Sequence, residues 1–255
     1  MKAFLVAAIA AGVATATIAA DVAPAAVAEP LWKSTIAAGA NVSRGNSEAM
    51  LYNGSVVSAF KEGPNEARVG IEANYGEART TQGAGTNATT TTAANVNNGV
   101  VFAEYRYLLT ERNYVYGKAE LLEDVIANVD YRATIGPGVG RYFLMSPDQK
   151  LSAELGATYI AGKQAGKVDD TVALRVSERY ELKLSATASL WESVEYLPSV
   201  DDFSRYLLNA EAGLEAAVNT KLSLRIVVQD KFNSSPAPGK DDNDVVLIAG
   251  LSYKL

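Results

Sequence analysis

Two residue types are missing from this 255-residue chain: cysteine and histidine. Without cysteine there is no disulfide, no thiolate metal site and no lipid anchor on an N-terminal Cys. Without histidine the chain lacks the usual general base near neutral pH, the common activator of a serine nucleophile and the commonest metal ligand. Long apolar runs are also missing beyond the first thirty residues. Nothing after Pro30 approaches the ~20 consecutive apolar residues that a membrane helix needs. A basic surplus is absent too: the formal net charge is −6. Loss of an N-terminal leader carrying Lys2 and Asp21 leaves that charge at about the same value. An acidic chain with no basic stripe is not built for nucleic acid.

Met1 and Lys2 form a short positive start, and Ala3 to Ala20 is an unbroken small-apolar stretch with only Thr15 and Thr17 as polar residues. This pattern reads as a secretory signal peptide over residues 1–28. Small-x-small patterns allow cleavage near residue 20 or after Ala28. A membrane anchor is the other reading of the same stretch, but the segment is short and alanine-heavy for stable lipid burial.

Residues 29–255 read as one domain. Apolar and polar residues alternate with period two, which gives a strand one greasy and one polar face. From Lys150 to Gly162, Leu151, Ala153, Leu155, Ala157, Tyr159 and Ala161 share one face, while Lys150, Ser152, Glu154, Gly156 and Thr158 share the other. About twelve strands follow this rule, near 31–43, 48–60, 67–79, 96–109, 113–123, 130–143, 150–162, 171–183, 184–197, 205–218, 221–232 and 244–255. At about 11–14 residues each they are long enough, when tilted, to cross a ~25–30 Å apolar layer. Strands of soluble proteins average about 5–6 residues. Short links alternate with mostly longer ones (Thr80–Asn95, Asp124–Val129, Lys163–Asp170, Pro198–Ser204 and Asn233–Asn243). That is the scheme of an outer-membrane barrel with both termini in the periplasm. The expected fold is all-β, a transmembrane antiparallel up-and-down barrel of about twelve strands in the cell outer membrane.

By parity the charges fall on the lumen side. The inward set is Arg68, Glu72, Glu104, Arg106, Lys118, Glu120, Arg132 and Glu154, followed by Arg175, Arg179, Glu211 and Arg225. Glu181, Arg205 and Glu215 share this parity. Both signs occur in near balance, which fits an internal ion-pair network or a charge-lined permeation path. Aromatic residues near strand ends (Trp32, Tyr52, Phe60, Tyr75, Tyr131, Phe143, Tyr159, Tyr196, Tyr206 and Tyr253) are candidates for interfacial girdles. Gly136, Gly138 and Gly140 alternate on the inward face. With no helix after them they suit close packing of bulky lumen side chains better than phosphate binding. The acidic pairs Asp169-Asp170, Asp201-Asp202 and Asp241-Asp242, with Asp244 nearby, sit in expected loops. They are solvated charge or a divalent-ion bridge to lipopolysaccharide. The Thr-rich stretch Thr80–Asn95 reads as a low-complexity loop.

The last six residues, Gly250 to Leu255, have the pattern Gly-x-x-aromatic-x-hydrophobic, with Tyr253 and Leu255 at the two signature positions. This resembles the terminal-strand signal that barrel assembly machinery reads by strand addition. Trp32-Lys33, Ala38 to Ser43 and Gly45-Asn46-Ser47 resemble the opening of the bacterial family called domain of unknown function 481, whose members are often described as salt-induced outer-membrane proteins. Further matches are Tyr105-Arg106-Tyr107, Glu123-Asp124, Asp130-Tyr131-Arg132, Gly136 to Tyr142 and Glu154 to Tyr159. The resemblance covers about residues 31–255. It implies an outer-membrane barrel and supplies no catalytic residues. Barrel enzymes generally use a Ser or Asp together with a His, so the chain is read as a non-enzyme with no catalytic residue, cofactor or metal site. Its expected partners are outer-membrane lipid, lipopolysaccharide and the assembly machinery. Its expected role is a narrow passive channel, or else a closed structural barrel linked to osmotic stress.

Overall fold

The computed structural model describes residues 31–255 apart from 44–47 and 83–88. The leader and the Gly45-Asn46-Ser47 motif lie outside the described residues. Twelve strands follow in chain order: β1 (Trp32–Ser43), β2 (Glu48–Glu62), β3 (Asn65–Gln82), β4 (Thr89–Leu108), β5 (Asn113–Asp124), β6 (Val129–Met145), β7 (Gln149–Gln164), β8 (Lys167–Lys183), β9 (Ala188–Pro198), β10 (Tyr206–Ala217), β11 (Leu222–Asn233) and β12 (Asn243–Lys254). Each strand pairs with its neighbours in sequence, and β12 returns to β1 to close the barrel.

The cylinder is inside-out relative to a soluble protein. On β7, Leu155 is 56% exposed while the adjacent Glu154 is 7% exposed. Alternation along the strand turns Leu155 outward and Glu154 into the lumen, because consecutive side chains leave opposite faces. The same holds on β8, where Val172, Leu174 and Val176 are exposed and Ala173, Arg175 and Ser177 are buried. Only hydrocarbon outside makes this arrangement favourable: apolar surface turned to water would cost about 25 cal/mol per Å².

Aromatic side chains mark both edges of the outer face. At the short-turn rim Trp32 and Phe60 pack with ring centroids 5.2 Å apart, and Tyr105, Tyr107, Phe143 and Tyr253 are also exposed there. At the opposite rim Tyr206 packs against Tyr196 at 5.3 Å and Phe232 at 5.4 Å. Tyr52, Tyr75, Tyr131 and Tyr159 are exposed at that end. Amphipathic rings at two levels are what a bilayer's two interfaces select.

Three links differ from the sequence reading. The described part of the Thr-rich stretch is strand: β3 runs to Gln82 and β4 begins at Thr89, with Thr80↔Thr91 and Thr81↔Thr90 in register. β4 meets β5 only from Asn98 onward, so this hairpin rises above its neighbour. Threonine suits an exposed ladder through its β-branched side chain, which composition alone disguises as low complexity. The second difference is the link between β7 and β8, which contains only residues 165 and 166, placing Asp169 and Asp170 inside β8. Ala165 and Gly166 both have positive φ, 52° and 76°, the handedness that a two-residue hairpin turn requires. Third, β9 starts at Ala188 instead of 184. Residues 184–187 form a turn in which Ser185 Oγ accepts from the amides of Thr187 and Ala188 at 3.2 and 3.0 Å.

The closing seam is the shortest ladder. β1 and β12 share five register pairs, from Thr35↔Lys254 to Gly39↔Gly250. Beyond them the Asn41 side chain donates to the Leu247 carbonyl at 2.7 Å.

Candidate functional site

The lumen is organised around a bare stretch of wall. On β6, alternation aims Gly136, Gly138 and Gly140 inward, and Gly156 joins them on β7. Gly138 and Gly140 lie directly against the rings of Tyr116 and Tyr114. A methyl group on Gly156 would stand 2.5 Å from Tyr116 Oη and 2.6 Å from the Pro137 carbonyl oxygen. These glycines let two tyrosines lie flat on the backbone. Tyr114 and Tyr142 are fully buried, their ring centroids 5.0 Å apart. Arg106 sits over the Tyr114 ring at 5.0 Å and Arg175 over the Tyr116 ring at 5.1 Å.

The tyrosines place their hydroxyls in an ion-pair knot centred on Glu154. Its carboxylate accepts from Tyr114 Oη at 2.8 Å, Arg175 Nη1 at 2.7 Å and Ser177 Oγ at 3.2 Å. Arg106 Nη2 lies 2.9 Å away. Arg106 also pairs with Glu104 and donates to Tyr142 Oη at 3.2 Å. Tyr142 in turn donates to Glu66 at 3.2 Å, and Glu66 pairs with Lys61 at 2.8 Å near the short-turn rim. On the other side Arg175 Nε donates to Glu195 at 2.6 Å. Glu195 receives Lys118 at 2.8 Å and Asn209 at 3.2 Å. Lys118 stands on β5 and Glu195 on β9, four strands apart in a ring of twelve, so this pair is a chord across the lumen. Charge-assisted bonds of this length are among the strong ones.

A second cluster lines the facing wall. Glu211 accepts from Trp191 Nε1 at 2.8 Å and from Gln229 at 3.0 Å. Gln229 also reaches Glu72 on β3 at 3.5 Å. Arg225 stacks over Trp191 at 5.2 Å, and Arg68 over Phe102 at 4.7 Å. Arg179 pairs with Glu181 at 2.7 Å, Arg132 donates to Gln164 at 3.4 Å, and Glu120 lies 3.8 Å from Lys118. Glu215 accepts from Ser252 at 3.2 Å. Arg205 departs from the inward set: it sits in the link between β9 and β10 and pairs with Asp169 at 2.5 Å at the long-loop rim.

Beside the knot runs a cavity of about 600 Å³. Its lining reaches from Lys61, Glu66, Lys150 and Glu181 near the short-turn rim to Asp124, Asp241, Asp242 and Asp244 at the other mouth. The link between β11 and β12, residues 234–242, folds over that mouth. Gln164 on β7 donates to the Ser235 carbonyl at 3.3 Å, and Ser234 exchanges bonds of 2.7 and 3.0 Å with Tyr206. The acidic pairs have separate occupations. Asp170 accepts from Tyr159 at 3.0 Å. Asp202 accepts from Ser204 at 2.7 Å, and that hydroxyl holds its carboxyl below the usual range. Among the described residues no group of three or more acids is placed to hold a metal ion.

Parity reasoning did not single out Tyr114, Tyr116, Tyr142, Lys61, Glu66, Lys150 or Glu195 as site residues. The signal was available for the tyrosines: Tyr114 and Tyr116 share the inward parity of Lys118 and Glu120, facing the alternating glycines. Lys61 and Glu66 fell within an assigned turn, which hid their facing.

Comparison with known proteins gives relatives without an assigned activity. The uncharacterized protein YdiY of Escherichia coli (strain K12) is 28% identical over 151 residues, covering 58% of this chain and 58% of that protein. The chain therefore aligns with a little over half the length of that relative. Among solved structures, the NanC porin superposes with a TM-score of 0.54 at 12% identity, covering 88% of this chain and 100% of that one. The COG4313 outer membrane channel from Pseudomonas putida F1 gives 0.50 at 10% identity, covering 92% and 100%. At such identities the likeness is one of fold, that of outer-membrane barrels. The family described as "Protein of unknown function, DUF481" matches residues 36–255, and the chain belongs to it.

Proposed function

We propose that the protein is a narrow, cation-preferring outer-membrane channel for small ions and solutes, exported by the leader in residues 1–28 and delivered to the assembly machinery through Gly250, Tyr253 and Leu255. The observation that carries the channel reading is the cavity beside the knot, lined by residues from both rims. The knot fills one side of the lumen and pairs its own charges. The charge left to act on a passing ion sits at the long-loop mouth, where Asp241, Asp242 and Asp244 join Asp124 against Arg132 and Lys231. A carboxylate ~5 Å from an ion in a water-like dielectric contributes about 0.8 kcal/mol, roughly a fourfold enrichment of cations. The solved barrels of like fold carry the words porin and outer membrane channel in their names, which agrees with this reading.

Purified protein inserted in a planar bilayer should give small, steady conductance steps, with a reversal potential in a KCl gradient that favours potassium. The triple substitution Asp241→Asn, Asp242→Asn, Asp244→Asn should bring the cation-to-anion permeability ratio down several-fold toward unity. A different reading, a structural barrel with its lumen closed, draws on the Lys118–Glu195 chord across the interior. Silence over many verified insertions would establish that reading and end the channel proposal.

A further inference from the structure

The outer face carries three charges where hydrocarbon should be. Arg141 stands on β6 four residues before the strand ends at Met145. Glu178 stands on β8 five residues before Lys183, and Glu192 on β9 four residues after Ala188. Alternation turns all three outward, in phase with Val139, Val176 and Val194, which are exposed. Arg141 and Glu178 lie deeper in the wall than the short-turn girdle, since Phe143 and Tyr180 follow them toward the rim, and Glu192 lies opposite Tyr180. At comparable depth other strands present Ile36, Val69, Ala103, Leu214 or Ile226. Among the described residues none of the three makes an ion pair; Arg141 has a 3.5 Å bond to Asn113 and lies over the Phe143 ring at 6.0 Å. Charge facing lipid below the interface is unfavourable, so three such residues within four adjacent strands need a polar partner.

We infer that this face, β6 to β9, is the contact surface between two copies of the chain related by a two-fold axis along the membrane normal. The register supplies the argument. Arg141 pairs with Ala153 on β7, and Ala153 pairs with Glu178 on β8. A positive and a negative side chain therefore flank a small one, two strands apart at nearly equal depth. A two-fold axis standing in front of β7 keeps every residue at its own depth and sets β6 of one copy opposite β8 of the other. Arg141 of each copy then meets Glu178 of its mate, twice over. Glu192 on β9, in register with Tyr180 and so nearer the short-turn rim than Glu178, adds to the negative side, and Ala153 leaves room at the axis. Isologous contacts of this kind must be self-complementary, and this surface is.

The test uses charge reversal in two separately tagged, full-length chains extracted in mild detergent. The wild type should run at twice the protomer mass and cross-link as a dimer in membranes. Arg141→Glu alone places acid against acid across the interface, and the double change Glu178→Lys, Glu192→Lys places base against base, so each should be monomeric. Co-expressed, the two variants should restore the dimer, as tagged pairs recovered together, because each acidic site again meets a basic one. Heat-modifiable migration in electrophoresis confirms that each variant is a folded barrel. The inference is overturned if the wild type is monomeric in membranes, if Arg141→Glu still dimerises, or if the mixed pair does not form. Conductance per barrel is independent of this result, so the channel reading stands or fails separately.

Discussion

Replacing Glu154 with leucine will destabilise the barrel by about 3 kcal/mol, at the low end of the ~3–5 kcal/mol typical of breaking a buried ion pair from one side. Glu154 is 7% exposed and separates two guanidiniums. Its loss leaves Arg106 and Arg175 facing each other without the carboxylate that holds them, and leaves the Tyr114 hydroxyl without an acceptor. The lumen contains space for water, which is why the low end applies. The measurement is urea unfolding in lipid vesicles, followed by fluorescence of Trp191, which sits in the lumen. The pair Glu154→Leu, Arg175→Leu should be less damaged than the single change by more than about 1 kcal/mol, because neighbours in one network are coupled. The physical reason is visible: Arg106 keeps Glu104, and Glu195 keeps Lys118, when both central members go. A single Glu154→Leu within about 0.5 kcal/mol of wild type, the range of ordinary surface changes, would show that the knot is ornamental. The same double variant should raise single-channel conductance, since it removes the side chains that fill one half of the lumen.

The second large effect concerns the bare wall. Gly136→Val should prevent accumulation of folded barrel. A Cβ at Gly136 would run into the Ala157 carbonyl and stand 2.8 Å from Thr158 Cα. Those are main-chain atoms of the next strand, so nothing can rotate away. The ladder between β6 and β7 is recorded at Ile135↔Tyr159 and resumes at Gly138↔Gly156. Pro137 in between has no amide to donate, so this stretch has little hydrogen bonding with which to offset a push. Overpacking of this kind reaches about 3 kcal/mol or more. Gly117→Ala on the adjacent β5 is the control: a Cβ there meets nothing within 4 Å. In semi-native electrophoresis of membrane fractions the control should show the fast-migrating folded band and Gly136→Val should show none. Equal folded yields for the two would remove close backbone approach as the reason for the inward glycines.

The alternation in Lys150 to Gly162 carried the strand, its facing and its membrane setting at once, because a two-residue period against hydrocarbon admits one orientation. The same period turns Glu154 on β7 and Arg175 on β8 into the lumen. It could not show that those two meet, since a contact between β7 and β8 depends on register, and register depends on turn geometry. The turn at Ala165–Gly166 illustrates the failure. Lys163 to Asp170 is polar enough to read as a loop, yet positive φ at two residues folds it into a hairpin. Parity places Arg205 in the lumen, but one residue before the start of β10 parity carries no meaning. Outward Glu178 and Glu192 are legible as breaks in an apolar face, but only the strand register brings Glu178 level with Arg141.

The seam between β1 and β12 sets this protein apart from its own other junctions. Eleven of the twelve junctions join segments adjacent in the chain, each a hairpin that can form as soon as its two arms exist. The twelfth joins Thr35 to Lys254, almost the full described length apart, through five pairs. The entropy of bringing such distant segments together grows only slowly with length, but it falls on one junction and must be met by very little pairing. Closure is therefore the step with the thinnest margin. Trimming the final six residues would strip all five pairs and leave a set of hairpins with nothing to make them a cylinder.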